Sequence, residues 1–370
     1  MIPVNEPKFG KREKELLNQC IDTGWVSSDG PFIKEFEERF AAFTGMKHGI
    51  AVCNGTAAIE AALFALDVHE GDEVIMPTFT IISCAVAALR LGAKPVLVDI
   101  DPEIWTMDVN QIEAKITKKT KAIMPVHIYG HPVDMDPVLD IAGKHGIAIM
   151  EDAAEVHGAE YKGRKCGSMG QVSSFSFYAN KIITTGEGGM VLTNDEKAAE
   201  RARSFRNLCF RPEKRFYHTE LGYNFRMTNL QAALGVAQTE RVEESIVLKR
   251  RLGSYYRKLL AEIPGIRFAP EKPWAKSVYW MYAVEVDPST KLNAEIVMKK
   301  LAARGVGTRP FFMGMHEQPV FHKMGLFVGE RYPIAERAYQ QGFYLPSGMA
   351  LTEAQMRRNA ASAWSTVTPG

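Results

Sequence analysis

The sequence predicts an α/β fold, with a mostly parallel central sheet flanked by helices and a second, smaller α/β domain. In the first half of the chain, short apolar runs alternate with segments of helical periodicity, which is typical of parallel sheets covered by helices. The chain has 370 residues, more than one simple core usually supports. The pattern of apolar and charged residues along the chain changes after about residue 245. We therefore expect a large domain over residues 1–245 and a small C-terminal domain over residues 246–370.

Local patterns predict the individual elements. Five predicted strands are short apolar runs, at 48–53, 73–76, 95–98, 122–128 and 147–150. A further predicted strand, at 174–178, alternates polar and aromatic residues. A helical period at 58–66 follows the first strand. In the second half we expect a charged, solvated connecting helix at 240–260, a strand at 277–286 and a helix at 294–304. Active sites in parallel α/β sheets lie beyond the carboxyl ends of the strands, so the residues that follow these runs are functional candidates.

Composition excludes several classes of protein. The 45 basic and 43 acidic residues are spread along the chain, which predicts no nucleic-acid partner. The 5 cysteines lack the spacing of a disulfide framework or a zinc site, so we expect no metal and a reducing, cytoplasmic location. The first residues lack a basic region followed by an apolar one, and no apolar run reaches about 18 residues. We therefore expect neither export nor contact with a membrane.

A lysine stands between an apolar strand and a glycine-rich turn in the stretch SSFSFYANKIITTGEGGM, residues 173–190. Burial penalises an ammonium group and lowers its pKa, so Lys181 could act as a nucleophile toward a carbonyl carbon. The alternative is a surface lysine at the end of a strand. This stretch by itself leaves both interpretations open.

Two further groups follow predicted strands. Gly55 and Thr56 begin a helix, where free N–H groups and a hydroxyl can hold a phosphate, although an ordinary helix cap uses the same residues. Asp152 follows an apolar run, where a carboxylate can hold a positively charged ring nitrogen or, together with Glu151, cap the next helix. Pyridoxal phosphate needs a carboxylate partner for its ring nitrogen and a lysine for its aldehyde. The phosphate turn, the carboxylate and Lys181 occur in the order that this cofactor requires.

Several stretches of the chain resemble those of a known family, the DegT-type sugar aminotransferases. The stretches are NGTAAIEAAL, GDEVIMPTFT, GAKPVLVD, KAIMPVHIYG, EDAAEVHG, SFSFYANKIITTGEGGM and GYNFRMTNLQAALG. These enzymes have the fold-type-I architecture of proteins dependent on pyridoxal 5′-phosphate. The similarity covers nearly the whole chain, and the Lys181 stretch and RPFFMGMHEQPVF resemble perosamine-synthase-like members in particular.

The resemblance implies a role for each matching residue. Lys181 would bind the aldehyde of the cofactor covalently and move the proton, and Asp152 would pair with the ring nitrogen. Glu155 would lie near the ring hydroxyl. The residues implied to hold the phosphate are Gly55, Thr56, Ala57, Ser176 and, from the neighbouring subunit, Asn224. The resemblance therefore implies a homodimer with shared active sites.

One position departs from the family pattern. Many relatives carry an aromatic residue that stacks on the cofactor ring, whereas this chain has Ile81 there. We expect either that an aliphatic side chain covers the ring or that Phe79 is displaced toward it.

Six polar or aromatic residues are candidates for substrate contact, and each has the alternative of a structural or surface role. They are His127, Tyr129, His157, Arg309, His316 and Glu317.

The resemblance implies transfer of an amino group from L-glutamate to a keto-sugar for surface polysaccharide synthesis, such as lipopolysaccharide O-antigen. The sugar would be a nucleotide-linked 4-keto-6-deoxyhexose of the GDP-perosamine type.

A first alternative is a keto- or aldehyde-sugar acid without a nucleotide, such as an oxidised octulosonate, whose carboxylate Arg309 could hold. A second is a regulatory or sensor protein on the same fold, which Lys181, Asp152 and Ser176 argue against. Lys181 also disfavours the dehydration that relatives with histidine at this position perform.

Overall fold

The computed structural model describes residues 1–211 and 213–367 and confirms the predicted α/β architecture. The strands are, in chain order, β1 (His48–Val52), β2 (Glu73–Pro77), β3 (Lys94–Val98), β4 (Thr120–Ile123), β5 (Ala148–Asp152), β6 (Glu160–Tyr161), β7 (Arg164–Lys165), β8 (Val172–Ser176), β9 (Gly189–Thr193), β10 (Ile266–Arg267), β11 (Ala275–Lys276), β12 (Tyr282–Val286), β13 (Arg309–Pro310) and β14 (Gly342–Leu345). The α-helices are α1 (Lys11–Thr23), α2 (Pro31–Thr44), α3 (Gly55–Ala65), α4 (Ser83–Arg90), α5 (Met135–His145), α6 (Glu196–Phe205), α7 (Asn229–Glu240), α8 (Val242–Leu260), α9 (Ala294–Ala303), α10 (Pro319–Lys323), α11 (Pro333–Gln341) and α12 (Glu353–Val367).

The main sheet has seven strands in the order β1-β9-β8-β5-β4-β2-β3. The neighbours β3, β2, β4, β5 and β8 run parallel to one another, and β9 is antiparallel to both β8 and β1. The parallel strands end at one edge of the sheet, so the residues that follow β2, β5 and β8 lie near one another. The sequence analysis did not predict β9, which follows the glycine-rich turn after Lys181.

Two predicted strands are shorter than expected. The strand β4 ends at Ile123, and after Pro125, which has no N–H group to donate, the run 122–128 pairs with β5 only through an isolated bridge between Val126 and Asp152. The run 277–286 becomes a strand only at Tyr282, because Tyr279 has a φ of 47°, which is incompatible with extended backbone. Both shortened segments lie beside the cavity described below, where irregular backbone replaces the sheet ladder.

A second sheet, with the order β10-β12-β14-β13, forms around a separate apolar core. This core includes Leu252, Val284, Leu301 and Phe343, contributed by α8, β12, α9 and β14. The predicted boundary at residue 245 falls inside α8, and residues 368–370 of the predicted small domain lie outside the described residues. The division at this boundary stays a prediction.

The helix α8 corrects one expectation. It begins at Val242, and one of its faces is buried rather than solvated, through Ile246, Lys249, Leu252 and Tyr256. The dense charge of its sequence lies on the other side, so the helix is amphipathic and packs against the second core. In the part of the chain that the structure describes, no helix is long and apolar enough to cross a membrane.

Candidate active site

A cavity of about 550 Å³ opens where β1, β2, β5 and β8 end. It brings together seven of the eight residues predicted to bind the cofactor: Gly55, Thr56, Ala57, Asp152, Glu155, Ser176 and Lys181. The eighth, Asn224, does not line it in this chain. Residues separated by more than a hundred positions in sequence therefore meet at one edge of the sheet.

The phosphate candidates form a turn between β1 and α3. The side chain of Asn54 caps α3 by accepting a hydrogen bond from the backbone N–H of Ala57 at 2.9 Å. The N–H groups of the first helical turn have no acceptor within the helix, so those of Gly55 and Thr56 are available to an anion. The hydroxyl of Thr56 lies 2.8 Å from the hydroxyl of Ser83. Ser83 was not among the residues predicted from the sequence to bind the phosphate.

The helix start and strand β8 approach each other closely. A Cβ atom added to Gly55 would lie 2.7 Å from the Cβ of Ser176. Only glycine permits this approach, which places the Ser176 hydroxyl beside the first turn of α3. The hydroxyls of Thr56, Ser83 and Ser176 and the positive end of a helix thus converge on one wall of the cavity, and this donor set suits a phosphate group.

Asp152 closes β5 and is buried, with 2% of its surface exposed. Its Oδ1 accepts a hydrogen bond from the N–H of Ala154 at 3.0 Å, and its Oδ2 accepts one from the Cys84 thiol at 3.2 Å. Burial, together with the Asp152 carboxylate, raises the pKa of Cys84 well above its ordinary value, so the thiol keeps its proton. No helix begins directly after Asp152, because the next regular element is β6, which argues against the helix-cap interpretation.

Lys181 lies inside the cavity rather than on the surface, with 9% of its side chain exposed. Its Nζ lies 3.9 Å from Oε1 of Glu155 and 3.7 Å from the centroid of the Trp280 ring. Burial lowers the pKa of Lys181, and the carboxylates of Glu155 and Asp152 oppose this shift. An amine with a lowered pKa is a better nucleophile at neutral pH than an exposed lysine.

Glu155 joins this lysine to a neighbouring loop. Its Oε2 accepts a hydrogen bond from the backbone N–H of Tyr129 at 2.7 Å. Burial raises the pKa of Glu155 to about 7, although Lys181 and the Tyr129 N–H favour the ionised form. The carboxyl group of Glu155 therefore titrates near neutral pH, 3.9 Å from the Lys181 amine.

The structure does not bring His127, Tyr129 or His157 into the cavity. His127 is fully buried between Oε2 of Glu151, at 3.1 Å, and the N–H of Val133, at 3.0 Å. His157 accepts a hydrogen bond from the Ile183 N–H at 3.2 Å, and burial lowers its pKa to about 3. The Tyr129 ring is buried parallel to Phe312, with centroids 5.9 Å apart. All three side chains support the residues around the cavity from behind.

The remaining substrate candidates also lie outside this cavity. His316 is buried, with Nδ1 2.8 Å from the Thr78 hydroxyl and Nε2 3.3 Å from Oε1 of Glu336. Glu317 follows it in a single turn of 3-10 helix. Arg309 is exposed and lines an adjacent cavity of about 590 Å³, which shares Tyr178, Asn180 and Tyr344 with the first.

Two further predictions concern Asn224 and the position of the ring-stacking residue. Asn224 is exposed, and its Oδ1 accepts a hydrogen bond from Arg226 at 2.8 Å. Its contact with the phosphate of a neighbouring subunit stays a prediction. Ile81 lines the cavity and is 44% exposed, whereas Phe79 is buried against Phe311. Of the two predicted alternatives, the structure therefore places the aliphatic side chain at the cavity.

Sequence reasoning missed three residues around these groups: Ser83, Cys84 and Trp280. Ser83 and Cys84 begin α4 shortly after the end of β2, so their position after a strand was a usable signal. Trp280 offered no such signal, because it lay inside a predicted strand. Its place over Lys181 depends on the positive φ of Tyr279, which only the structure shows.

Comparison with known proteins agrees with this arrangement. A model of the DegT/DnrJ/EryC1/StrS aminotransferase family matches residues 7–362. The chain is 42% identical over 362 residues to the GDP-perosamine synthase of Caulobacter vibrioides, covering 98% of this chain and 97% of the relative. It is 40% identical over 355 residues to the GDP-perosamine synthase of Escherichia coli O157:H7, covering 96% and 95%.

A solved structure gives the same result. The crystal structure of DesI, determined in the presence of its TDP-sugar product, superposes with a TM-score of 0.90 and 33% sequence identity, covering 98% of this chain and 92% of that one. The predicted family, enzyme class and cofactor are confirmed. The chain belongs to the DegT/DnrJ/EryC1/StrS aminotransferase family and is a pyridoxal-phosphate-dependent aminotransferase.

Proposed function

We propose that this aminotransferase moves an amino group from L-glutamate to the keto carbon of a GDP-linked 4-keto-6-deoxyhexose. The observation that carries the proposal is an identity of 40–42% over nearly the whole chain to two proteins named GDP-perosamine synthase. The cavity of about 550 Å³ has the size of a small-molecule site. Tyr178, Asn180 and Tyr344 line both this cavity and the adjacent one that Arg309 lines.

The residues of the cavity fit the cofactor. When bound, pyridoxal phosphate supplies an electron sink for the negative charge that develops as a proton leaves carbon. We propose that Asp152 holds the ring nitrogen in its protonated form, because it is a buried carboxylate that accepts hydrogen bonds from the Cys84 thiol and the Ala154 N–H group. Thr56, Ser83 and Ser176 would hold the phosphate with the first turn of α3.

Lys181 would bind the cofactor aldehyde and act as general acid and base. The amine lies in the same cavity as Asp152, and burial lowers its pKa. A group whose pKa lies nearer to neutrality can both accept and return a proton during turnover. Glu155, 3.9 Å away, would compensate the charge of the amine when it carries a proton.

We also propose a homodimer in which Asn224 reaches the phosphate of the partner subunit, acting in the cytoplasm. Two large apolar side chains that precede Asn224 in the sequence are exposed in the single chain, Phe216 at 82% and Leu221 at 85%. Exposed apolar residues of this size favour an interface. The five cysteines are free, as in a reducing compartment. Use of the product in lipopolysaccharide O-antigen stays a prediction.

The test is a substrate screen with L-glutamate as amino donor. The purified enzyme would be incubated with keto-sugars carrying GDP, carrying TDP or carrying no nucleotide, and with a keto-sugar acid. We expect an amino sugar and an equal amount of 2-oxoglutarate, detected by mass spectrometry, with the GDP-linked 4-keto-6-deoxyhexose at the highest kcat/KM. Turnover confined to the sugar acid would contradict the proposal and would favour a carboxylate site at Arg309.

A further inference from the structure

The indole of Trp280 contacts both the predicted catalytic lysine and the residue directly before it. Its ring face lies over Nζ of Lys181, 3.7 Å from the ring centroid. Its Nε1 donates a hydrogen bond of 2.9 Å to the backbone oxygen of Asn180, the residue directly before the lysine. Trp280 is 5% exposed and lines the cavity. One side chain therefore fixes both the backbone that carries Lys181 and the position of its amine.

The backbone of Trp280 is itself held from two sides. The buried Lys249 of α8 donates hydrogen bonds to the oxygens of Trp280, at 2.8 Å, and Ser347, at 2.5 Å. On the other side, a Cβ atom at Gly130 would lie 2.5 Å from the N of Trp280, so only glycine allows the two backbones to approach this closely. The N–H of Val278 also donates to the oxygen of Gly130 at 3.0 Å. These contacts leave the indole little freedom to move away from Lys181.

The charged groups around the amine do not fully offset the effect of its burial. Glu155 and Asp152 favour the ammonium, but burial acts against it and lowers the pKa of Lys181. His157, on the far side, stays neutral because burial lowers its pKa to about 3. The face of an aromatic ring attracts a cation, and the attraction grows when water is excluded. An indole also cannot take the proton away, because it has no basic atom at neutral pH.

We propose that Trp280 positions the Lys181 amine and stabilises the ammonium form that it takes once it has accepted a proton, so that the lysine can return this proton to carbon. The catalytic part of this statement rests on the proposed role of Lys181. The contact of Trp280 with the amine does not, because it follows from the geometry of this chain. Trp280 is thus a positioning residue, which acts through the lysine.

The experiment measures the proton affinity of Lys181 directly. The full-length enzyme is first treated with excess glutamate, which leaves the lysine amine free. Competitive labelling of amines with acetic anhydride over a range of pH, read by mass spectrometry of the peptide with Lys181, then gives its pKa. Three variants are compared with the wild type: Trp280→Leu, Trp280→Phe and, as a control outside the cavity, Trp274→Leu.

We expect Trp280→Leu to lower the pKa of Lys181 by about one unit, a tenfold loss of proton affinity, because the aromatic face is removed. Trp280→Phe keeps a weaker aromatic face and should show a loss of about threefold. Trp274→Leu should leave the value unchanged. The acidic limb of the pH profile of the glutamate half-reaction, where the amine must be unprotonated to accept a proton, should move to lower pH, further for Trp280→Leu than for Trp280→Phe.

An unchanged pKa in Trp280→Leu, or an equal fall in Trp280→Leu and Trp280→Phe, would overturn the proposal. If Trp280→Leu does not fold, Trp280→Phe decides alone, since a value equal to the wild type would also overturn it. The labelling result does not depend on turnover. A Lys181→Ala variant that keeps its activity would sink the role of the lysine, while the labelling would still decide whether Trp280 acts on the amine.

Discussion

At the scale of single residues, Lys181 and Asp152 differ in how their surroundings hold them. Lys181 lies between a carboxylate and an aromatic ring, and burial lowers its pKa. Asp152 is buried at the end of a strand and accepts hydrogen bonds from Cys84 and Ala154. The first arrangement suits a group that gains and loses a proton, and the second suits a carboxylate that holds a cationic partner. Each can be tested by a single substitution.

We expect Lys181→Ala to lower turnover by about 10² to 10⁴ or more, because a positioned acid and base is lost together with the covalent anchor of the cofactor. The fold should change little, since the side chain lies in a cavity. Turnover with glutamate and the melting temperature would be measured, with the exposed Lys119→Ala as control. Turnover like that of the wild type in Lys181→Ala would rule out the assignment.

Asp152→Asn removes a charge but keeps the shape of the side chain. We expect the glutamate half-reaction to slow by a larger factor than the affinity for pyridoxal phosphate falls, since the charge supports the electron sink. Stopped-flow absorbance and equilibrium binding would give the two factors, with the exposed Asp136→Asn as control. A half-reaction as fast as that of the wild type would mean that Asp152 only stabilises the turn through the Ala154 N–H.

At the scale of elements, the site depends on the contact between the start of α3 and the end of β8. A Cβ atom at Gly55 would lie 2.7 Å from the Cβ of Ser176, closer than real side chains come. The glycine therefore sets the distance between the helix terminus and the Ser176 hydroxyl, the two sources of donors for the phosphate. The sequence predicted Gly55 as a phosphate-binding residue, but it did not predict the close approach of this glycine to Ser176.

We predict that Gly55→Ala pushes α3 away from β8, which destabilises the fold by about 1 to 3 kcal/mol and weakens cofactor binding. The matched control is Gly143→Ala in α5, where an added Cβ would meet no atom within 4 Å. This control should be neutral or slightly stabilising, because alanine favours a helix. Urea unfolding and cofactor titration would measure both effects. Equal behaviour of the two variants would contradict the prediction.

At the scale of the whole molecule, the predicted dimer makes each site depend on two chains. Lys181 belongs to the cavity of its own chain, whereas Asn224 lies on its surface. In a shared site, a mixed dimer of Lys181→Ala and Asn224→Asp chains has one site with both defects and one with neither. Asn224→Asp should be inactive by itself, since it sets a negative charge against a phosphate.

We therefore expect partial recovery of activity when these two inactive variants are dissociated, mixed and reassociated. Activity assays together with light scattering would check recovery and confirm the mixed dimers. The control mixes Lys181→Ala with Asp152→Asn, two defects of one chain's cavity, and should recover little. A fully active monomer, or no recovery despite proven mixed dimers, would argue against a shared site.

Stability of the whole chain should fall in acid, in part because of His131. Burial lowers the pKa of this residue from 6.5 to about 4, and its Nε2 accepts a hydrogen bond from the Lys272 N–H at 3.3 Å. The unfolded chain binds a proton at higher pH than the folded one, so stability is lost as pH falls from 6.5 toward 4. The loss is on the order of 3 kcal/mol. Urea unfolding at several pH values should give a shallower dependence for His131→Asn, and equal slopes would contradict this.

The sequence by itself determined the fold class, the family and the residues that follow strands. Apolar runs that alternate with helical periods specify a parallel sheet, because each run must be buried between helices. The carboxyl ends of such strands meet at one edge, so Gly55, Asp152 and Lys181 could be assigned to one site before any coordinates were known. Their roles there stay predictions that the experiments above test.

Only the tertiary structure decided which further side chains reach that site. Three histidines that the sequence predicted as candidates for substrate contact are buried, each with a hydrogen-bond partner away from the cavity. They are His127, His157 and His316. Trp280 lay within an apolar run, yet the positive φ of Tyr279 and the hydrogen bond from Lys249 turn its ring onto Lys181. Local sequence sets the period of burial, whereas the direction of a side chain at an irregular segment depends on contacts with residues distant in sequence.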